Sequence, residues 1–136
     1  MKILIDTCIW SLALRRAGGT IDDPFVLELN ELINELRVQM IGPIRQEILS
    51  GIRVSGQYEA LRNHLQAFDD LPLTMGDYER AADFYNQLRS KGVQGSNTDF
   101  LICAVSDRYK MPILTIDEDF SLFKEYVPIT LHTPRF

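Results

Sequence analysis

Four acidic residues occupy positions suited to metal or acid–base chemistry, each beside a predicted strand end or helix start. Asp6 directly follows the apolar run "KILI", and Asp117 ends "PILTID". Glu47 lies one turn into the helix predicted after "VQMIG", and Asp99 lies in the first turn of the apolar helix predicted for residues 98–110. Ligands of open parallel sheets bind beyond the carboxyl ends of the strands. The spacing therefore predicts that Asp6, Glu47 and Asp117 share one edge of a sheet, which Asp99 joins if its helix begins there.

Four neighbouring carboxylates repel one another unless protons or divalent cations neutralise part of their charge. Oxygen-only ligation suits Mg²⁺ or Mn²⁺, which bind one or two protein carboxylates together with water and substrate phosphate. Each acid also has a structural explanation. Asp6 and Asp117 are suited to capping the helices that follow them, and the helix dipole favours Glu47 and Asp99 in a first turn. The coincidence of all four favours a metal-dependent active site.

The elements that must position these acids alternate between strands and helices. Strands are predicted at residues 1–6, 38–42, 112–117 and 127–132, with a further short candidate at 71–74. Helices are predicted at residues 7–16 (ended by Gly18 and Gly19), from Pro24 (capped by Asp22 or Asp23), from Pro43, and at 56–69, 76–92, 98–110 and 118–126. Such alternation is typical of a parallel sheet covered on both faces. We therefore expect an α/β fold of three layers, α/β/α, around a mostly parallel sheet of four or five strands.

Length and composition restrict the class of protein. A chain of 136 residues predicts one domain, residues 1–136. No apolar run approaches the roughly 18 residues of a membrane span, and no signal-peptide pattern is present. Cys8 and Cys103 are far apart and are expected to be reduced thiols of a cytoplasmic protein. A formal net charge of −5 argues against a broad basic face for nucleic acid, but it is compatible with acids gathered around cations.

Four stretches of the chain resemble the PIN-domain family of nucleases, and within it the VapC-type toxins of prokaryotic toxin–antitoxin modules. These stretches are "ILIDTCIW", "PIRQEILSGI", "NTDFLICAVS" and "ILTIDEDF". The similarity extends from Lys2 to about Val127 and implies a PIN-like fold. It places the four acids of the family at Asp6, Glu47, Asp99 and Asp117.

The resemblance also implies roles for individual residues. Asp6 and Asp99 would be the principal ligands of Mg²⁺ or Mn²⁺. Asp119 competes with Asp117 for the fourth position, and we prefer Asp117 because it directly follows the strand. Cys8 stands where the family often has Ser or Asn. Polar residues that commonly support the carboxylates in the family correspond to Thr7, Asn97 and Thr115.

The function implied by the resemblance is metal-dependent endoribonuclease activity. RNA is the expected substrate, with transfer RNA as a candidate. The expected partners are a separately encoded VapB-like antitoxin and a second copy of the chain, with no membrane association. Arg45 and Arg53, which flank the helix of Glu47, are the candidate contacts to RNA phosphates.

Other classes of protein remain open from the sequence. One is a stand-alone RNA-processing nuclease of the same family, and another is a catalytically silent member that only binds RNA or protein. A dehalogenase-type phosphotransfer enzyme requires a second Asp two positions after the first. This chain has Cys8 there, which argues against that class. A receiver-like module expects a lysine at the end of a late strand, where "ILTID" ends in Asp117.

Overall fold

Three short parallel strands form the centre of the molecule in a computed structural model that describes residues 1–15 and 23–136. They are β1 (Ile3–Ile5), β2 (Val38–Gln39) and β3 (Ile113–Leu114). The strand order is β2-β1-β3, so β1 is central. Both neighbouring strands run parallel to β1 and pair with it through Leu4.

Seven helices in the described residues connect and cover these strands. They are α1 (Thr7–Arg15), α2 (Pro24–Asn34), α3 (Gly42–Leu49), α4 (Ser55–Leu65), α5 (Met75–Ser90), α6 (Asn97–Tyr109) and α7 (Asp119–Phe123). The predicted start of α2 is confirmed, because Pro24 is its first residue and the Asp23 carboxylate accepts the N–H of Phe25 at 2.8 Å. Asp22, Gly18 and Gly19, for which roles at helix ends were predicted, lie outside the described residues.

The central strand is buried on both of its faces. Consecutive residues of a strand point to opposite faces of a sheet. Ile3, Leu4 and Ile5 are nevertheless all at most 1% exposed, and Ile113 and Leu114 are fully buried. Helices must therefore cover the sheet from both sides, which confirms the predicted three-layer α/β architecture.

Within residues 1–15 and 23–136 the sheet has three strands, fewer than the four or five predicted. The segment at 71–74 is not a strand, and the chain before it makes a single parallel bridge between Met40 and Asp70. Residues 127–132 likewise make only one bridge, between Ile113 and Leu131. Each segment contains a proline, Pro72 or Pro128, which lacks the N–H that a longer ladder needs.

An aromatic cluster fixes the start of α6. Phe100 packs against Phe123 with ring centroids 5.2 Å apart, and Phe123 packs against Phe120 at the same distance. The backbone at Gly95 lies directly on this cluster. A Cβ added to Gly95 would come within 2.7 Å of Phe123 and 2.9 Å of Phe100, both of which are fully buried. The first turn of α6 is therefore held by close packing.

A buried glutamate joins α2 to the residues that follow Leu131. Glu28 is fully buried and accepts hydrogen bonds from the Arg135 guanidinium at 2.8 Å and from the Arg135 backbone N–H at 3.1 Å. His132 Nε2 lies 3.3 Å from the same carboxylate, and Arg135 also pairs with Glu35 at 2.8 Å. The hydrogen bonds from Arg135 outweigh burial and lower the pKa of Glu28 to about 2. We call this group the Glu28 anchor.

The described helices contain no segment that is both long and apolar enough to cross a membrane.

Candidate active site

All four predicted carboxylates line one open cleft of about 680 Å³. Asp6 directly follows β1, Glu47 lies in α3, Asp99 lies in the first turn of α6, and Asp117 follows β3. The structure therefore brings together four acids that are up to 111 positions apart in the sequence. The other residues that line the cleft are Thr7, Cys8, Ser11, Pro43, Gln46, Ser50 and Thr98.

Asp6 is held by neutral donors. Its side chain accepts hydrogen bonds from the backbone N–H of Thr7 at 2.8 Å and from the Thr115 hydroxyl at 2.8 Å, and the Cys8 thiol lies 3.3 Å away. The residue is only 6% exposed, and this burial raises the pKa of Asp6 despite the hydrogen bonds, with a smaller contribution from the charge of Asp117. Asp6 thus caps the start of α1 and also presents a poorly solvated carboxylate to the cleft.

Asp99 is fixed by a reciprocal capping box at the start of α6. Its backbone N–H donates to the Ser96 hydroxyl at 3.1 Å, and its carboxylate accepts the Ser96 N–H at 3.0 Å. The N-cap residue of this helix is Ser96. Burial raises the pKa of Asp99, and the charges of Asp6 and Asp117 raise it further. The three aspartates are therefore close enough to repel one another.

Glu47 forms the more exposed wall of the cleft. Its carboxylate accepts a hydrogen bond of 2.6 Å from the Thr7 hydroxyl. Because Thr7 begins α1 and Glu47 lies in α3, this bond connects the two helices across the cleft. Thr7 also donates its N–H to Asp6, so it links the buried acid to the exposed one.

Asp117 and Asp119 differ in their position relative to the cleft. Asp117 lines it, and its N–H donates to the Thr115 hydroxyl at 3.0 Å. Asp119 is exposed at the start of α7, does not line the cleft, and donates its N–H to the Asp117 carboxylate at 2.9 Å. Asp117 therefore combines a capping contact with access to the cleft, and Thr115 orients both Asp6 and Asp117.

The remaining predicted residues have separate locations. Asn97 does not line the cleft, whereas its neighbour Thr98 does. Arg45 was a candidate phosphate contact, but its guanidinium binds the carbonyl oxygens of Leu65 and Phe68 and the Asp70 carboxylate. These bonds hold the Arg45 side chain at the end of α4.

Arg53 keeps an exposed side chain that is available for phosphate. Within the two described ranges no hydrogen bond or ion pair engages its guanidinium. Of the two arginines predicted to contact RNA phosphates, Arg53 is therefore the one whose side chain is available.

Four polar residues of the cleft were missed by sequence reasoning, although helical spacing indicated them. Thr7 and Ser11 are four positions apart on α1, and Gln46 and Ser50 straddle Glu47 at the same spacing around α3. Residues four apart lie on one helix face. The residues missed were Ser11, Gln46, Ser50 and Thr98.

The donor chemistry of the cleft fits a hard divalent cation. Within the described residues no lysine, arginine or histidine forms an ion pair with Asp6, Glu47, Asp99 or Asp117. The same residues contain no group of three or more His, Cys, Asp or Glu side chains placed so that together they could hold a metal ion. Mg²⁺ is typically bound by one or two carboxylates plus water and substrate oxygens, so such a group is not required. Asp6, which is buried, and Asp99, which is half-buried, are the pair that would hold such an ion.

Comparisons with solved structures identify the fold. The chain is similar to the structure of FitAcB from Neisseria gonorrhoeae, with 18% identity, a TM-score of 0.75 and 97% of each chain covered. It is also similar to the structure of VapBC2 from Rickettsia felis bound to a promoter DNA fragment, with 19% identity, a TM-score of 0.74 and coverage of 97% of this chain and 98% of the other. It is also similar to VapBC-1 from nontypeable Haemophilus influenzae (13% identity, TM-score 0.73, 97% of each chain). A search of curated proteins finds no match. The family model described as the PIN domain matches residues 3–126, and the chain therefore belongs to the PIN-domain family.

Proposed function

We propose that this protein is a metal-dependent endoribonuclease that hydrolyses RNA phosphodiester bonds in the acidic cleft. The observation that carries the proposal is that four carboxylates from distant segments line one cleft without a cationic side chain paired to any of them in the described residues. Burial of unpaired charge is costly, and proteins retain it where an ion or a substrate compensates it. PIN domains are nucleases that generally use divalent metal ions, which supports this assignment.

Asp6 and Asp99 would hold Mg²⁺ or Mn²⁺ at the base of the cleft. When bound, the ion stabilises charge on the phosphoryl oxygens and lowers the pKa of a coordinated water. Thr115 and the Thr7 N–H keep the Asp6 carboxylate in place through the bonds already described. Glu47, positioned by the Thr7 hydroxyl on the exposed wall, accepts a proton from the attacking water. The resemblance implies products with a 5′-phosphate and a 3′-hydroxyl.

RNA cleavage by purified protein tests the proposal. Wild type should cleave structured RNA, including transfer RNA, with Mg²⁺ or Mn²⁺ and should lose this activity in excess chelator. Asp6→Asn and Asp99→Asn should each be inactive. Asp119→Asn is the matched control and should retain activity. Asp119 is an aspartate only two residues from Asp117, but it lies outside the cleft. Wild-type rates in either cleft variant, with the fold verified, would overturn the assignment.

We further propose that the protein is the toxin of a toxin–antitoxin module and acts as a homodimer. The three similar structures named above carry toxin–antitoxin designations of the VapBC or FitAcB kind, which supports this. A largely apolar groove of about 730 Å³ between α1 and α4 is available for an antitoxin segment. Ser11 lines both this groove and the acidic cleft, so a segment bound in the groove would reach the acids. The groove is lined by Ser11, Leu14, Ile52, Gln57, Ala60, Leu61 and His64.

Induced expression in a bacterial host separates a toxin from a stand-alone nuclease. Wild type should arrest growth, and Asp99→Asn at equal protein levels should not. Co-expression of a small DNA-binding protein encoded beside this gene should restore growth. Ala60→Arg, which places a charge on the groove without touching the cleft, should still arrest growth and should escape that rescue. Normal growth with active wild-type enzyme favours an RNA-processing nuclease instead. Sedimentation equilibrium tests the dimer.

A further inference from the structure

A second cavity lies between α5 and α6, on the other face of the first turn of α6 from the acidic cleft, and has a volume of about 410 Å³. This volume is within the range of roughly 300–1,000 Å³ that is usual for small-molecule sites. Asn97 lines this cavity, whereas Thr98 and Asp99 line the cleft. Because consecutive Cα atoms are 3.8 Å apart, the Cα atoms of Asn97 and Asp99 are separated by no more than about 7.6 Å. One turn of α6 therefore serves both cavities.

The described side chains that line the second cavity are aromatic, aliphatic or amide groups, and they include Phe100 and Leu101. None of the side chains that line it is charged, in contrast to the neighbouring cleft. The amides of Asn86 and Asn97 form no hydrogen bond with any other residue in the ranges 1–15 and 23–136, so their donors and acceptors are available. A flat, uncharged ligand with hydrogen-bonding edges fits this combination of groups. Its main lining residues are Tyr78, Ala81, Ala82, Tyr85, Asn86 and Asn97.

The spacing on α5 creates a slot between two rings. Tyr78 and Tyr85 are seven positions apart, so they lie on one helix face about 10.5 Å apart along the axis. Ala81 and Ala82 lie between them and leave the space open. Tyr85 is fixed by an edge-to-face contact with Phe100 at 5.7 Å, whereas Tyr78 is 53% exposed. Tyr85 thus forms a rigid wall, and Tyr78 presents a ring to any ligand that enters.

We propose that this cavity, the base pocket, binds one unpaired nucleobase of the RNA substrate next to the scissile phosphate. The inference rests on the proposed function, because it assigns the base that accompanies a phosphate in the acidic cleft. Proteins that recognise unpaired RNA stack bases on aromatic side chains and read their edges with polar groups. Tyr78 supplies the stacking face, and the amides of Asn86 and Asn97 supply the edge contacts. The substrate class is therefore RNA with an unpaired nucleotide beside the cut.

Abasic substrates test the base pocket directly. An RNA that wild type cleaves at one mapped bond is synthesised with the base removed at each position flanking the cut in turn. At one of these positions the missing base should raise KM about tenfold or more, as expected for a lost stacking contact. Tyr78→Ala should raise KM on the intact RNA by a similar factor, and Tyr78→Phe should not. The two changes combined should raise KM no further than either alone, since they remove the same contact.

Two further variants control for unfolding and for general loss of tyrosine. Tyr109→Ala removes another exposed tyrosine, at the far end of α6 and outside the base pocket, and should leave KM unchanged. Ala82→Leu fills the slot from an exposed helix position and should reproduce the Tyr78→Ala effect. Both variants should retain the wild-type Tm.

Three outcomes would overturn the base pocket. The first is intact activity on every abasic substrate while wild type remains an efficient nuclease. The second is an additive effect of Tyr78→Ala and the abasic site, which means that they act at different places. The third is a halved particle mass for Tyr78→Ala with unchanged KM, which identifies this face as a contact between two copies of the chain. The proposed function itself fails if the wild-type protein does not cleave RNA and the Asp99→Asn variant does not bind RNA in fluorescence anisotropy.

Discussion

Two regions of the molecule bury carboxylates, and they compensate the negative charge in opposite ways. In the Glu28 anchor the fully buried carboxylate is bound by Arg135, which lowers its pKa to about 2. In the acidic cleft Asp6 is 6% exposed, its donors among the described residues are all neutral, and burial raises its pKa. Asp99 is half-buried, and burial together with the charges of Asp6 and Asp117 raises its pKa. The first region pairs its acid with an arginine, and the second has no cationic side chain paired with its acids in the described residues.

This difference separates stability from function. A buried acid with an arginine partner contributes to the folded state at neutral pH, because the charged form is favoured in the native protein. A buried acid without such a partner opposes folding when it is charged, which is the situation that the proposed metal ion would relieve. Substitutions in the two regions should therefore affect different measurements.

The largest expected effect is on catalysis by Asp99→Asn. We expect RNA cleavage to fall at least ~100-fold, because loss of a metal ligand should cost no less than loss of its supporting residues. The Tm in metal-free buffer should stay unchanged or rise, since one of several repelling charges is removed while an acceptor for the Ser96 N–H remains. Cleavage rates and thermal unfolding of the same preparation measure both effects. A clear drop in Tm would show that Asp99 is needed for folding and would remove the contrast.

Packing should hold the cleft acids in place where ion pairs do not. Gly95→Ala should cost about 1–3 kcal/mol of unfolding free energy, because a new methyl group would press on buried Phe100 and Phe123. Cleavage should fall as well, since the start of α6 carries Asp99. Gly56→Ala is the control, with open space around a Cβ at that position and no expected loss. Chemical denaturation measures both variants, and equal stability for them would contradict the role of this packing.

The Glu28 anchor should affect stability without affecting catalysis. Glu28→Gln removes the charge that Arg135 binds, and we expect a loss of about 1–2 kcal/mol at pH 7, moderated because solvent screens the partly exposed Arg135. The rate of RNA cleavage at 25 °C should match that of wild type. A loss of activity in the folded variant would mean that the two regions are coupled.

The pH dependence of that loss has a definite sign. The pKa of Glu28 is about 2 in the folded protein, below its ordinary value of 4.5, so its contribution is complete above pH 4.5 and disappears as the pH falls towards 2. The difference in unfolding free energy between wild type and Glu28→Gln should therefore be constant near neutrality and should shrink in acid. Denaturant unfolding at a series of pH values measures it. A difference that grows in acid would contradict the assignment.

The smallest effect is expected at the bond between the two walls of the cleft. Thr7→Ala removes the hydroxyl that holds Glu47, and cleavage should fall by about tenfold, the lower end for a residue that supports a metal site. Thr7→Ser keeps the hydroxyl and should recover most of the rate. If the serine variant is as slow as the alanine variant, the hydrogen bond does not position Glu47.

The sequence predicted the acidic cleft better than it predicted the anchor. Asp6 and Asp117 follow short apolar strands whose carboxyl ends share one edge, so their proximity follows from the topology alone. Glu28 lies among Phe25, Leu29 and Leu32 on the apolar face of α2, and this spacing alone indicates that its side chain is buried. Its partner Arg135 is 107 positions away, and no local pattern connects the two residues.

The errors in the predicted elements have local physical causes. Helices were located well because apolar spacing over several turns is a strong signal, as for α5, predicted at 76–92 and found at Met75–Ser90. Strands of two or three residues carry little periodicity, so residues 127–132 read like a strand although they make a single bridge. Arg45 was predicted to contact RNA phosphates because of its position beside Glu47. Its bonds to the end of α4 depend on the path of the chain after Leu65, which no local pattern indicates.

The first turn of α6 has a practical consequence for inhibitor chemistry. Asn97 faces the base pocket and Asp99 faces the acidic cleft from the same rigid turn, which the Ser96 cap holds in place. A compound that joins a planar heterocycle to a metal-chelating acid through a linker long enough to pass around this turn would occupy both cavities at once. Because neither half of the compound requires the protein to change conformation, the joined compound should keep most of the binding free energy of the two separate fragments.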